Sequence, residues 1–228
     1  MMENIKSIYL LKIVFTYISE GIKLKLARYN KKLQNKIDVN LINYKEFSGK
    51  YIIFDGNDKE REYNGYNGNL LFEGKYLNGK RNGNCKEYDY LGNLIFEGEY
   101  LNGKRNGNGK EYEKGILIFE GEYLNGERNG KGKDYYKNGK LFFEGEYLKG
   151  EKYGKGKEYF DDGKLLFEGE FLEGRKNGKG KEYYSDGNLY FEGEYFKGKI
   201  WNGKKFEYYN YGESKLEFKY INGHKRGI

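Results

Sequence analysis

The sequence predicts a mainly β fold: a tandem array of antiparallel β-hairpins behind a short two-helix N-terminal segment. Three observations predict it. The motif Phe-Glu-Gly-x-aromatic returns with its glycine at Gly74, Gly98, Gly121, Gly145, Gly169 and Gly193, at spacings of 24, 23, 24, 24 and 24. A period of this size is the signature of a repeat array. Each copy alternates with period two, as a strand with two unlike faces does. The 228 residues include 35 glycines and no proline, so turns are well supplied and no ladder is interrupted.

The chain opens with a basic leader, residues 1–46. Ile5, Ile8, Leu11, Phe15 and Ile18 recur every three or four residues, the pattern of an amphipathic helix. Ser19 is placed to cap a second helix, whose stripe is Ile22, Leu26, Tyr29, Leu33 and Ile37. Lys23, Lys25, Arg28, Lys31, Lys32 and Lys36 populate its other face. Val39 to Tyr44 reads as an extended connection. Lys12 breaks the apolar run well short of a membrane span, and a signal peptide fails for the same reason. The leader is read as a cap on the array or as a helix for an anionic membrane surface.

Residues 47–228 form about eight units. The first, around Phe47-Ser48-Gly49-Lys50-Tyr51, is degenerate, and so is the last, where Phe218 takes the glycine slot. Within a unit, Leu94 to Leu101 is one strand and Gly109 to Tyr112 belongs to the second. Asn102-Gly103 turns between them, and pairs such as Asn138-Gly139, Asp162-Gly163 and Asp186-Gly187 lead into the next unit. Phe96, Gly98 and Tyr100 point to one face, which is the expected core; Glu97, Glu99 and Leu101 point to the other. An aromatic from the neighbouring strand, Tyr112 or its equivalents, is expected over the bare mid-strand glycine. Cross-strand Glu and Lys pairs are expected on the opposite face. Two strands per unit give roughly 10 Å per repeat, with stability residing in neighbour interfaces and with capped ends.

Net charge is +7, unevenly placed. Residues 1–50 hold ten Lys or Arg against four Asp or Glu, and residues 51–228 hold 32 against 31. The array is almost balanced, so no nucleic-acid groove is expected along it. The single cysteine, Cys85, excludes an intrachain disulfide and suits a reducing, intracellular compartment. His224 is the one histidine. Neither has partners for a nucleophile or a zinc site, so catalysis, a cofactor and a resident metal are not expected. The turn cations Lys80, Arg81, Lys104, Arg105, Arg128, Lys152, Arg175, Lys176 and Lys199 recur in each unit and form the candidate interaction row. Such a row suits anionic headgroups at about 1 kcal/mol per cation, although Glu127 and Glu151 interrupt it. A protein partner, a second copy and an anionic membrane surface are the expected classes of partner.

The copies Phe119-Glu-Gly121-Glu-Tyr123-Leu-Asn-Gly126-Glu-Arg-Asn-Gly130-Lys-Gly132 and Phe167-Glu-Gly169-Glu-Phe171-Leu-Glu-Gly174-Arg-Lys-Asn-Gly178-Lys-Gly180 resemble the MORN repeat, the membrane occupation and recognition nexus. Asn138 to Tyr147 is similar to the bacterial MORN-type variant of proteins described as antitoxins. The family's Trp after Glu-Gly-x is Tyr or Phe here, its His is Asn or Tyr (Asn106, Asn129, Tyr153, Asn177), and Cys85 stands in a glycine slot. The resemblance implies an elongated single-layer antiparallel array acting as a scaffold, a dimerisation rod or a membrane-apposed platform, with no chemistry of its own. In the leader, Leu10-Leu11-Lys-Ile13-Val-Phe15-Thr-Tyr17-Ile18, Leu24-Lys-Leu26 and Asn30-Lys-Lys-Leu33 resemble a divergent F-box without its leading Leu-Pro and its Trp. That implies a hook for a ubiquitin-ligase adaptor.

Overall fold

The computed structural model describes residues 49–54, 59–209 and 214–226. The leader, with its two helices, its F-box resemblance and its boundary at residue 46, lies outside the described residues. The chain divides into two units between Asn93 and Leu94. The first holds β1 (Lys50–Phe54), β2 (Glu60–Asn64), β3 (Leu70–Leu77) and β4 (Lys80–Tyr88). The second holds β5 (Leu94–Leu101), β6 (Lys104–Glu113), β7 (Ile116–Leu124), β8 (Glu127–Tyr135), β9 (Leu141–Leu148) and β10 (Glu151–Tyr159). It continues with β11 (Leu165–Leu172), β12 (Arg175–Tyr183), β13 (Leu189–Phe196), β14 (Lys199–Tyr209), β15 (Ser214–Ile221) and β16 (His224–Arg226). Inside each unit every strand pairs antiparallel with the next in sequence, so the sheet is open and has no crossovers. The described residues contain no helix.

Turn chemistry sets this order. Asn102-Gly103 and Asn125-Gly126 place both turn residues at positive φ, as a two-residue hairpin requires. Lys149, Glu173 and Lys197 adopt the same φ, near 50°, without the local side-chain support of asparagine. The single spacing of 23 has a structural cause. Between β6 and β7 the chain reverses through Lys114-Gly115, with Glu113 paired to Ile116. Elsewhere in the second unit the equivalent connection is longer, as at Tyr136, whose N–H bonds the Lys140 carbonyl at 2.8 Å.

The core is a ladder on one face. Phe96, Phe119, Phe143, Phe167 and Phe191 are fully buried, and Tyr100, Tyr123, Tyr147, Phe171 and Tyr195 nearly so. The rings meet edge to face. Phe119 lies 5.7 Å from Tyr123 of its own strand and 5.3 Å from Tyr147 of the next hairpin. Phe143 repeats this with Tyr147 at 5.6 Å and Phe171 at 5.2 Å. Such pairs add about 0.5–1.5 kcal/mol each beyond the area they bury.

The ring over the mid-strand glycine is the phenylalanine of the same strand, not the neighbouring tyrosine. Gly98 pairs with Gly109. A methyl group on Gly109 would sit 2.5 Å from the Phe96 ring, and one on Gly98 would sit 2.6 Å from Gly109 Cα. Tyr112 points to the opposite face, where its hydroxyl donates to Glu97 at 2.6 Å. Strand parity is the reason: Lys110 pairs with Glu97 on the far face, and Tyr112, two residues on, points the same way. In the first unit Cys85 takes the place opposite Gly74, with Sγ in the space a Gly74 side chain would need. Burial pushes its thiol up to about 11, so it is protonated at neutral pH. At the degenerate end Lys205 pairs with Phe218, as Gly180 pairs with Gly193 one repeat earlier.

Candidate interaction surface

The nine cations of the row divide by strand parity into two columns. Arg81, Arg105, Arg128, Lys152 and Lys176 turn onto the aromatic face. Their charged groups lie over the buried rings: Arg81 over Phe72 at 4.0 Å, Arg105 over Phe96 at 4.0 Å and Arg128 over Phe119 at 3.8 Å. Lys152 lies 4.2 Å over Phe143, and Lys176 lies 4.5 Å over Phe167. Lys80, Lys104, Arg175 and Lys199 are exposed beside the hairpin turns, and Glu127 and Glu151 occupy the same column between them.

Each inward cation is held by a carboxylate six residues on. Arg105 donates to Glu111 at 3.1 Å, Arg128 to Asp134 at 2.9 Å, Lys152 to Glu158 at 2.8 Å, and Lys176 pairs with Glu182 at 3.0 Å. Arg81 pairs with Glu87 and, at 3.6 Å, with Glu62. The fixed spacing of six is a signal the sequence carried, and it would have assigned these cations to the interior of the repeat. The next hairpin adds a hydroxyl: Tyr123 donates to Glu111 at 2.7 Å, Tyr195 to Glu182 at 2.6 Å, and Tyr147 to Asp134. Phe171 has no hydroxyl to offer Glu158. Burial alone would raise the Glu111 carboxyl; hydrogen bonds from Arg128 and Tyr123 and the Arg128 and Arg105 charges outweigh it and hold the group below its ordinary value.

The two glutamates of Phe-Glu-Gly-Glu-Tyr point to the opposite face and differ in role. The first accepts from the second-strand tyrosine, as Glu97, Glu120, Glu144 and Glu168 do from Tyr112, Tyr135, Tyr159 and Tyr183. That burial and those carboxylates push the Tyr112 and Tyr159 phenols up to about 12. The second glutamate sits against a bulge. On β12 the step from Lys176 to Gly180 faces the shorter step from Phe171 to Gly169 on β11. Gly178 takes positive φ there, and Glu170 accepts from the Lys179 N–H at 3.3 Å. Glu99 does the same for Asn108 at 3.1 Å.

Turns of successive hairpins are tied together. The Gly126, Gly150, Gly174 and Gly198 N–H groups donate to the Arg105, Arg128, Lys152 and Lys176 carbonyls at 2.8 to 3.1 Å. Where the family carries His, Asn129 and Asn177 accept from the Lys149 and Lys197 N–H groups at 3.4 and 3.1 Å. The repeat-defining Gly98, Gly121, Gly145, Gly169 and Gly193 all lie under the phenylalanine rings.

Outward, the surface carries an apolar column the cation row did not include. Leu101, Leu124, Leu148, Leu172 and Phe196 close the first strand of each hairpin and are about half exposed. They pair across the hairpin with Lys104, Glu127, Glu151, Arg175 and Lys199. Among the described residues no helix is long and apolar enough to cross a membrane. No group of three or more His, Cys, Asp and Glu among them is placed to hold a metal ion.

Two solved structures show a distant likeness. The crystal structure of TarM aligns over 60% of this chain and 24% of its own, at 10% identity and a TM-score of 0.31. A variant of S. aureus TarM with fondaparinux, α-GlcNAc-glycerol and UDP aligns over 83% and 27%, at 8% identity and a TM-score of 0.16. The chain thus spans about a quarter of the length of these structures, and likeness at this level establishes neither fold nor activity. No curated protein matches the sequence. The MORN repeat matches five times in tandem, at residues 72–90, 96–115, 119–140, 143–164 and 167–189, each match carrying the buried Phe, the Gly–Gly or Gly–Cys pair and the cation–carboxylate couple described above. With these repeats spanning the middle of the sequence, the chain belongs to the MORN-repeat family.

Proposed function

We propose that the chain is a non-enzymatic scaffold whose repeats present a regular surface to a protein partner. One observation carries this reading: the inward charges are paired between and within hairpins, as Arg128 is with Glu111 and Asp134, while the turn-edge residues stay exposed in register. Groups locked into ion pairs over buried rings are poorly placed for proton transfer. A single buried thiol, at neutral pH protonated, fits an intracellular protein that is cytoplasmic or peripheral to a membrane.

The test is an affinity capture from native lysate, read by mass spectrometry, on the full chain and on residues 47–228. Partners shared by both forms support the array as the binding surface. Partners lost with the leader would move recognition to residues 1–46, and a ubiquitin-ligase adaptor among them would favour the F-box reading. A monomer that captures nothing would overturn the scaffold.

The second reading is an anionic membrane surface. The exposed Lys104, Arg175 and Lys199 support it. Salt-sensitive co-sedimentation with phosphatidylserine vesicles would favour it, and absence of binding at low salt would remove it.

A further inference from the structure

We propose that the second unit carries a built-in joint at the β10–β11 seam, where the array parts into β5–β10 and β11–β16 ahead of the matching seams β8–β9 and β12–β13. The joint belongs to the array itself and needs no partner.

Backbone pairing does not set this seam apart. The three seams share one register: Gly132 faces Gly145, Gly156 faces Gly169 and Gly180 faces Gly193, with the same irregularity at Tyr135, Tyr159 and Tyr183. The far-face charges repeat as well, with Lys133 opposite Glu144, Lys157 opposite Glu168 and Lys181 opposite Glu192. The difference lies in the side-chain ties between hairpins.

Three kinds of tie recur in the second unit, and one repeat lacks the group for each. The first is the ladder hydroxyl, from Tyr147 to Asp134 across β8–β9 and from Tyr195 to Glu182 at 2.6 Å across β12–β13. Phe171 stands in that slot at β10–β11. The second is the asparagine carbonyl, by which Asn129 accepts from the Lys149 N–H at 3.4 Å and Asn177 from the Lys197 N–H at 3.1 Å. Tyr153 stands there and offers Glu173 no side-chain carbonyl. The third anchors the connection between two hairpins to the later one: Tyr136 donates to the Tyr159 carbonyl at 2.7 Å and Tyr184 to the Phe206 carbonyl at 3.0 Å. Phe160 holds the same place without a hydroxyl for Tyr183. What remains is the Gly174 N–H to the Lys152 carbonyl at 3.1 Å, against 2.9 Å for Gly150 and 2.8 Å for Gly198, and an exposed Lys164 that reaches the Ser185 carbonyl at 2.7 Å.

The ring stack is undisturbed. Phe143 meets Phe171 at 5.2 Å, as Phe119 meets Tyr147 at 5.3 Å. The joint is therefore closed in the folded chain, and what it lacks is resistance to opening. Where stability resides in neighbour interfaces, the seam with the fewest ties opens first while the segments beside it stay folded. Opening bares the facing edges of β10 and β11, whose ladder groups are then free to pair with another strand.

The test is hydrogen exchange of the full chain in low urea, read by mass spectrometry. Amides paired across β10–β11 should exchange about tenfold faster than those across β8–β9 and β12–β13. Tyr153→Asn with Phe160→Tyr and Phe171→Tyr restores the three groups and should remove that difference. Asn177→Tyr with Tyr184→Phe and Tyr195→Phe copies the joint one repeat on and should make β12–β13 exchange as fast as β10–β11. Equal exchange at the three seams of the parent chain would overturn the proposal. So would a restored variant that slows every seam by the same factor, which is the mark of general stabilisation. If the restored variant does not fold, the copied joint decides: fast exchange confined to β12–β13 and β10–β11 supports the joint, and acceleration spread evenly over the unit removes it.

Discussion

Arg128 lies with its guanidinium 3.8 Å over the Phe119 ring and donates to carboxylates on two successive hairpins, Glu111 at 2.6 Å and Asp134 at 2.9 Å. One side chain thereby joins the aromatic ladder to the charge ladder. Replacing it leaves two half-buried carboxylates facing each other. Arg128→Met should cost about 2–3 kcal/mol, at the lower end of what a broken buried pair costs because the site keeps some solvent. Arg128→Lys should cost about 1 kcal/mol, since Lys152 and Lys176 fill the same place with one pairing each. Lys104→Ala, one residue away in the exposed column, should stay within about 0.5 kcal/mol. Urea unfolding of the three variants separates the two columns.

Phe171→Tyr should stabilise the array by about 0.5–1.5 kcal/mol. Tyr123 and Tyr195 donate to the carboxylate one hairpin back, and Phe171 occupies the same slot against Glu158 with no hydroxyl. Tyr147→Phe, the reverse change, should lose a similar amount. A rise in the unfolding midpoint for the first and a fall for the second would establish the hydroxyl as the working part. A fall in both would show the slot to be governed by volume.

The turns hold a removable strain. Glu173 at φ 50° and Lys149 at φ 50° occupy a position where asparagine is favoured. Glu173→Asn and Lys149→Asn should each add about 0.5–1 kcal/mol. Gly121→Ala should act oppositely: its methyl would meet Gly132 Cα at 2.6 Å, and a loss of about 2 kcal/mol or more is expected from forced backbone movement. Thermal unfolding ranks all three against the parent chain.

Acid should loosen the charge ladder. The Glu62 carboxyl is buried and the Glu111 carboxyl half-buried, which would raise both, but their cations and tyrosines hold them below the ordinary value of 4.5. The unfolded chain therefore takes up protons first as pH falls. Their stabilisation is fully present above the unfolded value and is lost as pH drops from about 4.5 through the lower folded values. At the alkaline end the signs reverse. Tyr112 and Tyr159, raised from 10.0 to about 12, contribute stability that is complete below pH 10 and declines as pH rises towards 12. Unfolding midpoints from pH 3 to 11 should show both falls, and Glu111→Gln should flatten the acid one.

Period, turn sites and the two strand faces were legible in the residues, because each depends on local rules: positive φ at Asn-Gly, alternation along Leu94 to Leu101, a missing side chain at Gly98. What lies over Gly98 was not, since own-strand and cross-strand rings both reach a bare glycine and the placement of Tyr112 decides between them. The cation row read as one surface because adjacent residues such as Arg175 and Lys176 sit together in sequence while pointing to opposite faces. The bulge at Gly178 was equally hidden: positive φ marks a turn, and only the register against Glu170 shows that the chain bulges there without reversing. The apolar column was in view as Leu101 and its equivalents, but half-exposure is a property of the folded hairpin end.

The tie from Tyr136 to the Tyr159 carbonyl spans 23 residues, one repeat, and the Tyr112 to Glu97 bond spans 15. Loops of that size set the entropy of closure for each new hairpin, and that cost does not grow with the number of hairpins already formed. The second unit should therefore refold by local zippering, at a rate nearer that of a helical bundle than of a β-sandwich with the same number of strands. Adding repeats should lengthen its lifetime against unfolding while leaving the first step of its assembly unchanged.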